Sequence, residues 1–403
     1  MATPAKNIFI VGAKRTPFGA FGGKLKGMSA THLSAHCSKA ALAHAGLSAE
    51  KVDEVLVGNV IQSSHDAVYL ARHAGLMAGV PIPSPAMTIN RLCGSGFETV
   101  IMGAEGIDNG RSKVVLAGGS ENMSAAPMVI DGITARWSPP ALGKGLQATD
   151  ALWSGLTDSL YKTPMGITAE KLGDKYGITR QECDDFAVRS QNLSEKATAA
   201  GVLQSEIAPI ELKGRKGKVD VVSADEAVRN GCQIGDLTKL KSVFKEEGLV
   251  TAGSASGITD GAAALVIAGD EGVAENGLKP LVRVVSWARV GCDPSIMGIG
   301  PVDAIRNALK AADLTLDDMD LVEINEAFAA QFLACAKELG VDMDKCNLNG
   351  GAISLGHPLG ASGARILTHL THELGRTGKR YGIGSACIGG GQGIAVVLEN
   401  VNI

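Results

Sequence analysis

The sequence predicts an α/β fold made of two duplicated halves, with a loop domain inserted between them. Three observations carry this. Short apolar runs alternate with stretches of helical periodicity, the pattern of strands and covering helices. A shift of 267 aligns residues 42–120 with 309–387 without a gap, so about eighty positions recur in a second copy. Residues 126–247 lack that rhythm.

In order, residues 8–11, 55–60 and 114–117 read as strands, and residues 30–45 and 97–109 as helices. That alternation predicts a largely parallel sheet covered on both faces. The shift then places Leu42 on Leu309, Asp53 on Asp320, Gly96 on Gly363 and Leu116 on Ile383. The halves differ at reactive positions: Cys93 falls on Gly360, His357 on Asn90 and Cys387 on Ser120. Halves docked face to face would bring these different corners together. The predicted division is residues 1–125 with 248–275 as the first half, 126–247 as the loop domain, and 276–403 as the second half.

Composition narrows the function. The 403 residues are 45% hydrophobic, 20% charged and 4% aromatic, as expected of a globular chain with two or three packed units. A net charge of −4 argues against general nucleic-acid binding. No apolar run approaches the roughly 18 residues a membrane span needs. Eight cysteines are scattered without a C-x-x-C pair, which predicts reduced thiols in an intracellular compartment and no metal site. No Asp or Glu precedes Glu50, whereas Lys6, Lys14, Arg15, Lys24, Lys26 and Lys39 do. This is the acid-poor composition of organelle-import segments. Yet residues 8–11 already read as a core strand, so the mature N-terminus itself addresses a mitochondrion or the bias is incidental. The terminal Val401-Asn-Ile403 is not a peroxisomal signal.

Cys93 is the leading nucleophile candidate. Residues 87–89 favour a strand, a Gly-containing turn follows, and Phe97, Val100, Ile101, Ala104 and Ile107 form a helical stripe. A cysteine at that junction faces unpaired N–H groups and the helix dipole, which with a nearby histidine favour the thiolate. A buried structural cysteine in a tight turn is the alternative.

Three further stretches carry chemistry. Asn325 ends the run 321–324 and either polarises a carbonyl, through a held water, or caps a helix. His357 lies in Asn349-Gly-Gly-Ala-Ile-Ser-Leu-Gly-His357-Pro-Leu-Gly-Ala-Ser-Gly363, where small residues let backbone approach a partner closely. Cys387 precedes a Gly-rich turn, Ile388-Gly-Gly-Gly-Gln392, whose N–H groups suit an oxyanion hole. Its alternative is a reduced cysteine in a hairpin. The basic run 213–218 is a solvated loop or an attractor for an anionic ligand such as the phosphates of coenzyme A.

Taken together these stretches resemble the thiolase family nearly end to end. Cys93-Gly-Ser-Gly96, Gly118-Gly-Ser-Glu-Asn-Met123, Asn325-Glu-Ala-Phe328, Gly356-His-Pro-Leu-Gly360 and Cys387-Ile-Gly-Gly-Gly-Gln-Gly393 occur in order. Tyr69-Leu-Ala-Arg-His73, Leu160-Tyr-Lys-Thr-Pro-Met165 and Ser295-Ile-Met-Gly-Ile-Gly-Pro301 resemble its mitochondrial 3-ketoacyl-CoA branch. Acetoacetyl-CoA-specific relatives tend to carry a histidine where Pro164 stands.

The resemblance implies a thiolase-like fold of five αβαβα layers, and CoA-dependent cleavage of 3-ketoacyl-CoA in fatty acid β-oxidation, reversible as a Claisen condensation. It implies that Cys93 carries the acyl group, that His357 moves its proton and that Cys387 is the acid–base thiol at the acetyl carbon. Asn325 with His357 would serve one oxyanion site, and the N–H groups of Cys93 and Gly389 the other. Ser256, Arg229 and Cys232 would contact CoA, with Met165 near the acyl chain. Cys232 stands where the branch usually has threonine, and Ser254 where it usually has asparagine. Coenzyme A is then a substrate, with no permanently bound cofactor, and the implied assembly is a homodimer or homotetramer in the mitochondrial matrix, or alternatively the cytoplasm. The competing readings are an acetoacetyl-CoA or biosynthetic condensing thiolase, a non-catalytic acyl-CoA-binding protein and a cysteine thioesterase.

Overall fold

A computed structural model describes residues 2–214 and 217–403. The main sheet contains β1 (Ile8–Arg15), β2 (Glu54–Gly58), β3 (Ala86–Ile89), β4 (Val114–Asn122), β5 (Thr259–Gly269), β6 (Val282–Gly291), β7 (Leu321–Ile324), β8 (Tyr381–Ile388) and β9 (Gln392–Asn400). The principal helices are α1 (Ala30–Ala45), α2 (Ser95–Asp108), α3 (Arg180–Ala199), α4 (Gly300–Ala311), α5 (Ala329–Leu339) and α6 (Ser362–Thr377).

The strand order is β7-β8-β9-β6-β1-β5-β4-β2-β3, with the pair Gly19–Ala20 added on β5. Outward from the β1–β6 joint, the order β6-β9-β8-β7 repeats β1-β5-β4-β2. The shift of 267 carries β2 onto β7, β4 onto β8 and α2 onto α6, so the internal duplication is structural. The counterpart of β3 is reduced to a single bridge, Val322–Cys346.

The sheet is mixed rather than largely parallel. Only β2 with β3 and β4, and β7 with β8, pair in parallel; the other main-sheet ladders are antiparallel. Connectivity explains the difference. β8 and β9 are a hairpin, and β5 returns from the inserted segment without a crossover helix, so neither join imposes parallel pairing.

Alternation along the strands divides the core into layers. On β5, Leu265 and Ile267 face the central space, whereas Ala264 and Val266 face the outer space of the first half. On β9, Ile394, Val396 and Leu398 face the centre, and Ala395 and Val397 the outer space of the second half. α1 covers the first outer face and α4 the second, while α2 and α6 pack on each other between the sheets. The result is five layers, αβαβα. The halves thus meet edge to edge at β1–β6 and face to face only across the two central helices. Each fully buried central side chain of the size of Phe97 contributes about 3–5 kcal/mol against truncation.

Between β4 and β5 lie a hairpin of Met128–Ile130 with Ala148–Asp150, a helix Met165–Tyr176, then α3, and a hairpin of Ile210–Lys213 with Val219–Val222. α3 opens with a capping box, Thr179 with Glu182. In the basic run, Lys213 and Lys218 are exposed, and Arg215 and Lys216 lie outside the described residues.

A buried ionic cluster stitches this segment to both halves. Arg15 of β1 donates to Glu206 Oε1 (2.6 Å) and to both oxygens of Asp225 (2.6 and 2.9 Å), and His369 Nδ1 of α6 lies 2.8 Å from Glu206 Oε2. Burial opposes ionisation of Glu206, but His369 and Arg15 win and hold its carboxyl well below the usual range. Arg15→Met is expected to cost about 3–5 kcal/mol, because it leaves Asp225 buried without its cationic partner and Glu206 with His369 alone. The urea-unfolding midpoint reads this, and an unchanged midpoint would show the cluster to be energetically neutral.

Candidate active site

The Cys93 turn is strained. Leu92 has φ +47°, a left-handed conformation that costs a non-glycine residue free energy, on the order of 1 kcal/mol. Local hydrogen bonds hold it: Asn90 Oδ1 accepts from Leu92 N (2.9 Å), while Ser95 Oγ accepts from Arg91 N (2.9 Å) and donates to Leu92 O (2.7 Å). Cys93 lies one residue before Gly94, the N-cap of α2, and is half-buried. A Cβ on Gly94 would meet Ile388 Cδ1 at 2.4 Å, so glycine there lets the turn seat against the end of β8. This contact brings the Gly389 N–H to the Cys93 sulfur.

His357 sits in the loop leading to α6. Its N–H donates to Gly257 O (3.0 Å) and Thr259 Oγ1 (3.1 Å), which fixes the second-half loop on β5 of the first half. Ser362 Oγ donates to Pro358 O (3.1 Å) and lies 2.6 Å from His357 Nδ1. With the hydroxyl proton committed, Nδ1–H is the donor in that short bond and Nε2 keeps its lone pair. Asn325 Nδ2 lies 3.4 Å from Nε2. Asn325 is fully buried, and its Oδ1 has no partner. It caps no helix, since α5 begins after Phe328.

Cys387 lies in β8 opposite Gly393, fully buried with Met165, Met297, Ala327 and Phe328. Cys93 and His357 line one cavity of about 310 Å³. Its walls are mostly apolar, including Trp153, Leu156, Met165, Phe244 and Phe328, with Ser256 among the few polar groups. Arg229 and Cys232 line a neighbouring cleft of about 80 Å³ that shares Ala252, Ala255 and Gly257 with the first. Ser254 is buried and spends its hydroxyl on Thr251 N and Leu249 O, so it offers a ligand nothing. Lys213 and Lys218 line neither cavity. Among the described residues no His, Cys, Asp or Glu cluster is placed to hold a metal ion, and no helix is long and apolar enough to cross a membrane.

Burial works against the thiolate expected from the helix terminus. It pushes the Cys93 thiol up to about 11, against the helping Gly389 N–H, and with the Arg365 charge it pushes His357 down to about 3. Both directions favour the uncharged thiol and the uncharged imidazole in the free site. Burial, and then the proximity of Cys93, also hold Cys387 back from ionisation.

Two residues escaped the sequence reading as functional. Ser362 orients the imidazole; a hydroxyl five residues beyond a candidate base was the available signal. Glu121, fully buried at the end of β4, accepts from Val60 N, Ile61 N, Asn59 Nδ2 and Gly360 N at 2.9–3.1 Å. It fastens the His357 loop to the first half, and burial raises its carboxyl to about 7. A carboxylate directly after the small and neutral run 117–120 was its signal.

The neutral pair predicts how free Cys93 alkylates. Below a thiol pKa near 11 the thiolate fraction, and so the iodoacetamide rate, rises about tenfold per pH unit from pH 7 to 9. A rate flat across pH 6–9 would instead reveal a preformed thiolate–imidazolium pair.

Comparison with known proteins follows the same outline. Residues 8–271 match the thiolase N-terminal domain and 278–400 the thiolase C-terminal domain. The chain is 53% identical to "3-ketoacyl-CoA thiolase, mitochondrial" of Bos taurus, over 98% of each. It is 45% identical to "Acetyl-CoA acetyltransferase" of Syntrophomonas wolfei, over 98% of this chain and 99% of that one. The crystal structure of human mitochondrial 3-ketoacyl-CoA thiolase in complex with CoA superposes with a TM-score of 0.95 at 51% identity, covering 99% of both chains.

Proposed function

The chain belongs to the thiolase family and is an acyltransferase, and we infer that it cleaves 3-ketoacyl-CoA with CoA to acetyl-CoA and a shortened acyl-CoA. The observation that carries this is the juxtaposition of Cys93 and His357 in one apolar cavity, with Cys387 packed among residues of its wall.

The geometry supports the following steps. His357 Nε2 takes the Cys93 proton as the sulfur adds to the 3-keto carbon. The bond between C2 and C3 then breaks, its electron pair passing to C2 to give the acetyl-CoA enolate. Cys387 protonates that carbon, and acetyl-CoA leaves. The imidazolium passes its proton to the Cys387 thiolate, so that His357 can take the CoA thiol proton as that sulfur attacks the acyl carbon; the carbon–sulfur bond to Cys93 breaks, and the imidazolium returns a proton to the Cys93 sulfur. Because both thiols rest neutral, each proton moves together with bond formation rather than before it. Once protonated, Nε2–H becomes a donor to the enolate oxygen, together with a water held by Asn325 Oδ1. The N–H groups of Cys93 and Gly389 serve the oxygen on the acyl carbon. Each such donor contributes about 2.7–4 kcal/mol to the barrier.

Ser256 in the cavity and Arg229 and Cys232 in the neighbouring cleft support a CoA path along the shared wall, with Met165 beside the acyl chain. The 126–247 segment supplies Arg229, Cys232, Met165 and the wall aromatics Trp153 and Phe244, which supports its reading as a substrate-contacting loop domain between the two halves. The exposed edge of β3, with Met87, and exposed Val129, Ile130 and Trp137 support assembly as a homodimer or homotetramer. Relatives named mitochondrial, together with the acid-poor N-terminus, support the mitochondrial matrix as the compartment.

Cys93→Ala is expected to abolish thiolysis and acyl-protein formation; labelled acyl-protein in that variant would refute the assignment. Cys387→Ala should lower carbon–carbon cleavage by about 10²–10⁴-fold while Cys93 still acylates with a simple acyl-CoA. Equal loss of both activities would remove Cys387 from the acid–base role. A chain-length series of 3-ketoacyl-CoA substrates, each with a no-CoA control, separates thiolysis from acetoacetyl specificity and from hydrolysis.

A further inference from the structure

The two turns that face the acyl carbon come from different halves of the chain. Residues 90–93 belong to the first half and 388–392 to the second. The donors on them, Cys93 N–H and Gly389 N–H, have to stand about 2.7–3.1 Å from one developing oxyanion, so a small slip between the turns weakens both bonds. Their apolar contacts are close: a Cβ on Gly389 would lie 3.2 Å from Leu92 Cδ1 and 3.3 Å from Met165 Sδ. Contacts of that kind resist compression but slide readily, because dispersion is non-directional.

A polar strut crosses the same seam. Arg91 Nη1, two residues before Cys93, donates to Gln392 Oε1, three residues after Gly389, at 2.9 Å. Arg91 is in turn fixed from behind, with Nε 2.9 Å from Glu98 Oε2 in an ion pair off the N–H axis. Glu98, in the first turn of α2, is gripped by Arg289 of β6, Nε to Oε2 and Nη2 to Oε1, both at 2.9 Å. Arg289 also holds Glu105 two helical turns on, at 2.8 Å. Gln392 begins β9, paired with Gly291 at the end of β6. Both ends of the strut are therefore anchored on the β6–β9 ladder, and neither side chain can swing freely.

We propose that Arg91 and Gln392 are positioning residues that clamp the nucleophile turn of one half to the Gly389 turn of the other and so set the spacing of the oxyanion donors. The clamp rests on the reading of Cys93 as the acylated nucleophile. It acts on the transition state through the donors and touches no substrate, so its removal lowers the rate of acylation and leaves substrate affinity alone. Arg91 is about a third exposed, which keeps the cost of truncation to the fold small.

The test is a double-mutant cycle on the full-length protein. Arg91→Ala, Gln392→Ala, the double variant and Gln392→Glu are mixed rapidly with hexanoyl-CoA, and acyl-Cys93 is followed by intact-protein mass, with thiolysis kcat and KM and thermal stability alongside. Each single variant is expected to acylate about tenfold more slowly, with KM changed less than about twofold. The double variant should be no slower than the slower single, the signature of two residues acting through one contact. Gln392→Glu, which keeps an acceptor for Arg91, should recover most of the rate. Additive losses in the double variant, a loss confined to KM, or rates that merely follow melting temperature would overturn the clamp. An unaltered protein that forms no acyl-Cys93 at all would instead overturn the functional reading, and the clamp with it.

Discussion

Everything in the site depends on one close backbone crossing. α2 and α6 meet at their first turns, where a Cβ on Gly96 would stand 2.4 Å from Ala364 N and one on Gly363 would stand 2.3 Å from Phe97 N. These glycines are the same residue in the two copies, since 96 and 363 differ by the repeat shift of 267. They mark the approximate dyad of the duplication. Any side chain there would force the helices apart, and the two helix N-termini carry the proposed nucleophile and the proposed base. Cys93 lies three residues before Gly96, and His357 six before Gly363. Packing in the central layer is thereby converted into catalytic geometry.

The same burial creates an electrostatic difficulty and resolves it. A thiol near 11 and an imidazole near 3 make a poor nucleophile–base pair at rest. Charge separation becomes affordable only when an oxyanion forms beside the imidazolium and within reach of fixed N–H donors. The low polarity that penalises a lone ion strengthens such compensated charge. Reactivity is thus tied to a substrate carbonyl, and the free thiol is protected from stray electrophiles.

Much of this was legible in the residues. The repeat, the strand-turn-helix at Cys93, the small-residue loop around His357 and the Gly-rich turn after Cys387 follow from period, spacing and turn chemistry. Three things were not. The antiparallel centre of the sheet depends on where the chain returns after a segment of more than a hundred residues, which no local pattern encodes. The burial that opposes a Cys93 thiolate comes from residues distant in sequence, such as Leu152 and Leu359 packed with it, which the local helix terminus does not encode. Ser362 and Glu121 act through hydrogen bonds whose partners only the docked halves define.

The duplication also supplies an internal control for the oxyanion site. The position equivalent to Cys93 is Gly360, and its N–H is engaged: it donates at 2.9 Å to the carboxylate of Glu121, which also gathers Val60 N, Ile61 N and Asn59 Nδ2. The second copy of the turn therefore binds a carboxyl oxygen, supplied by the protein's own chain. On the catalytic side the position equivalent to Glu121 is Ile388, which has no charge to offer, and the Cys93 N–H is left for a substrate oxygen. The fold thus carries an oxygen-binding turn in two copies and fills one of them with the structural carboxyl group of Glu121. One active site, rather than two, follows from which copy carries the acid and which carries the thiol.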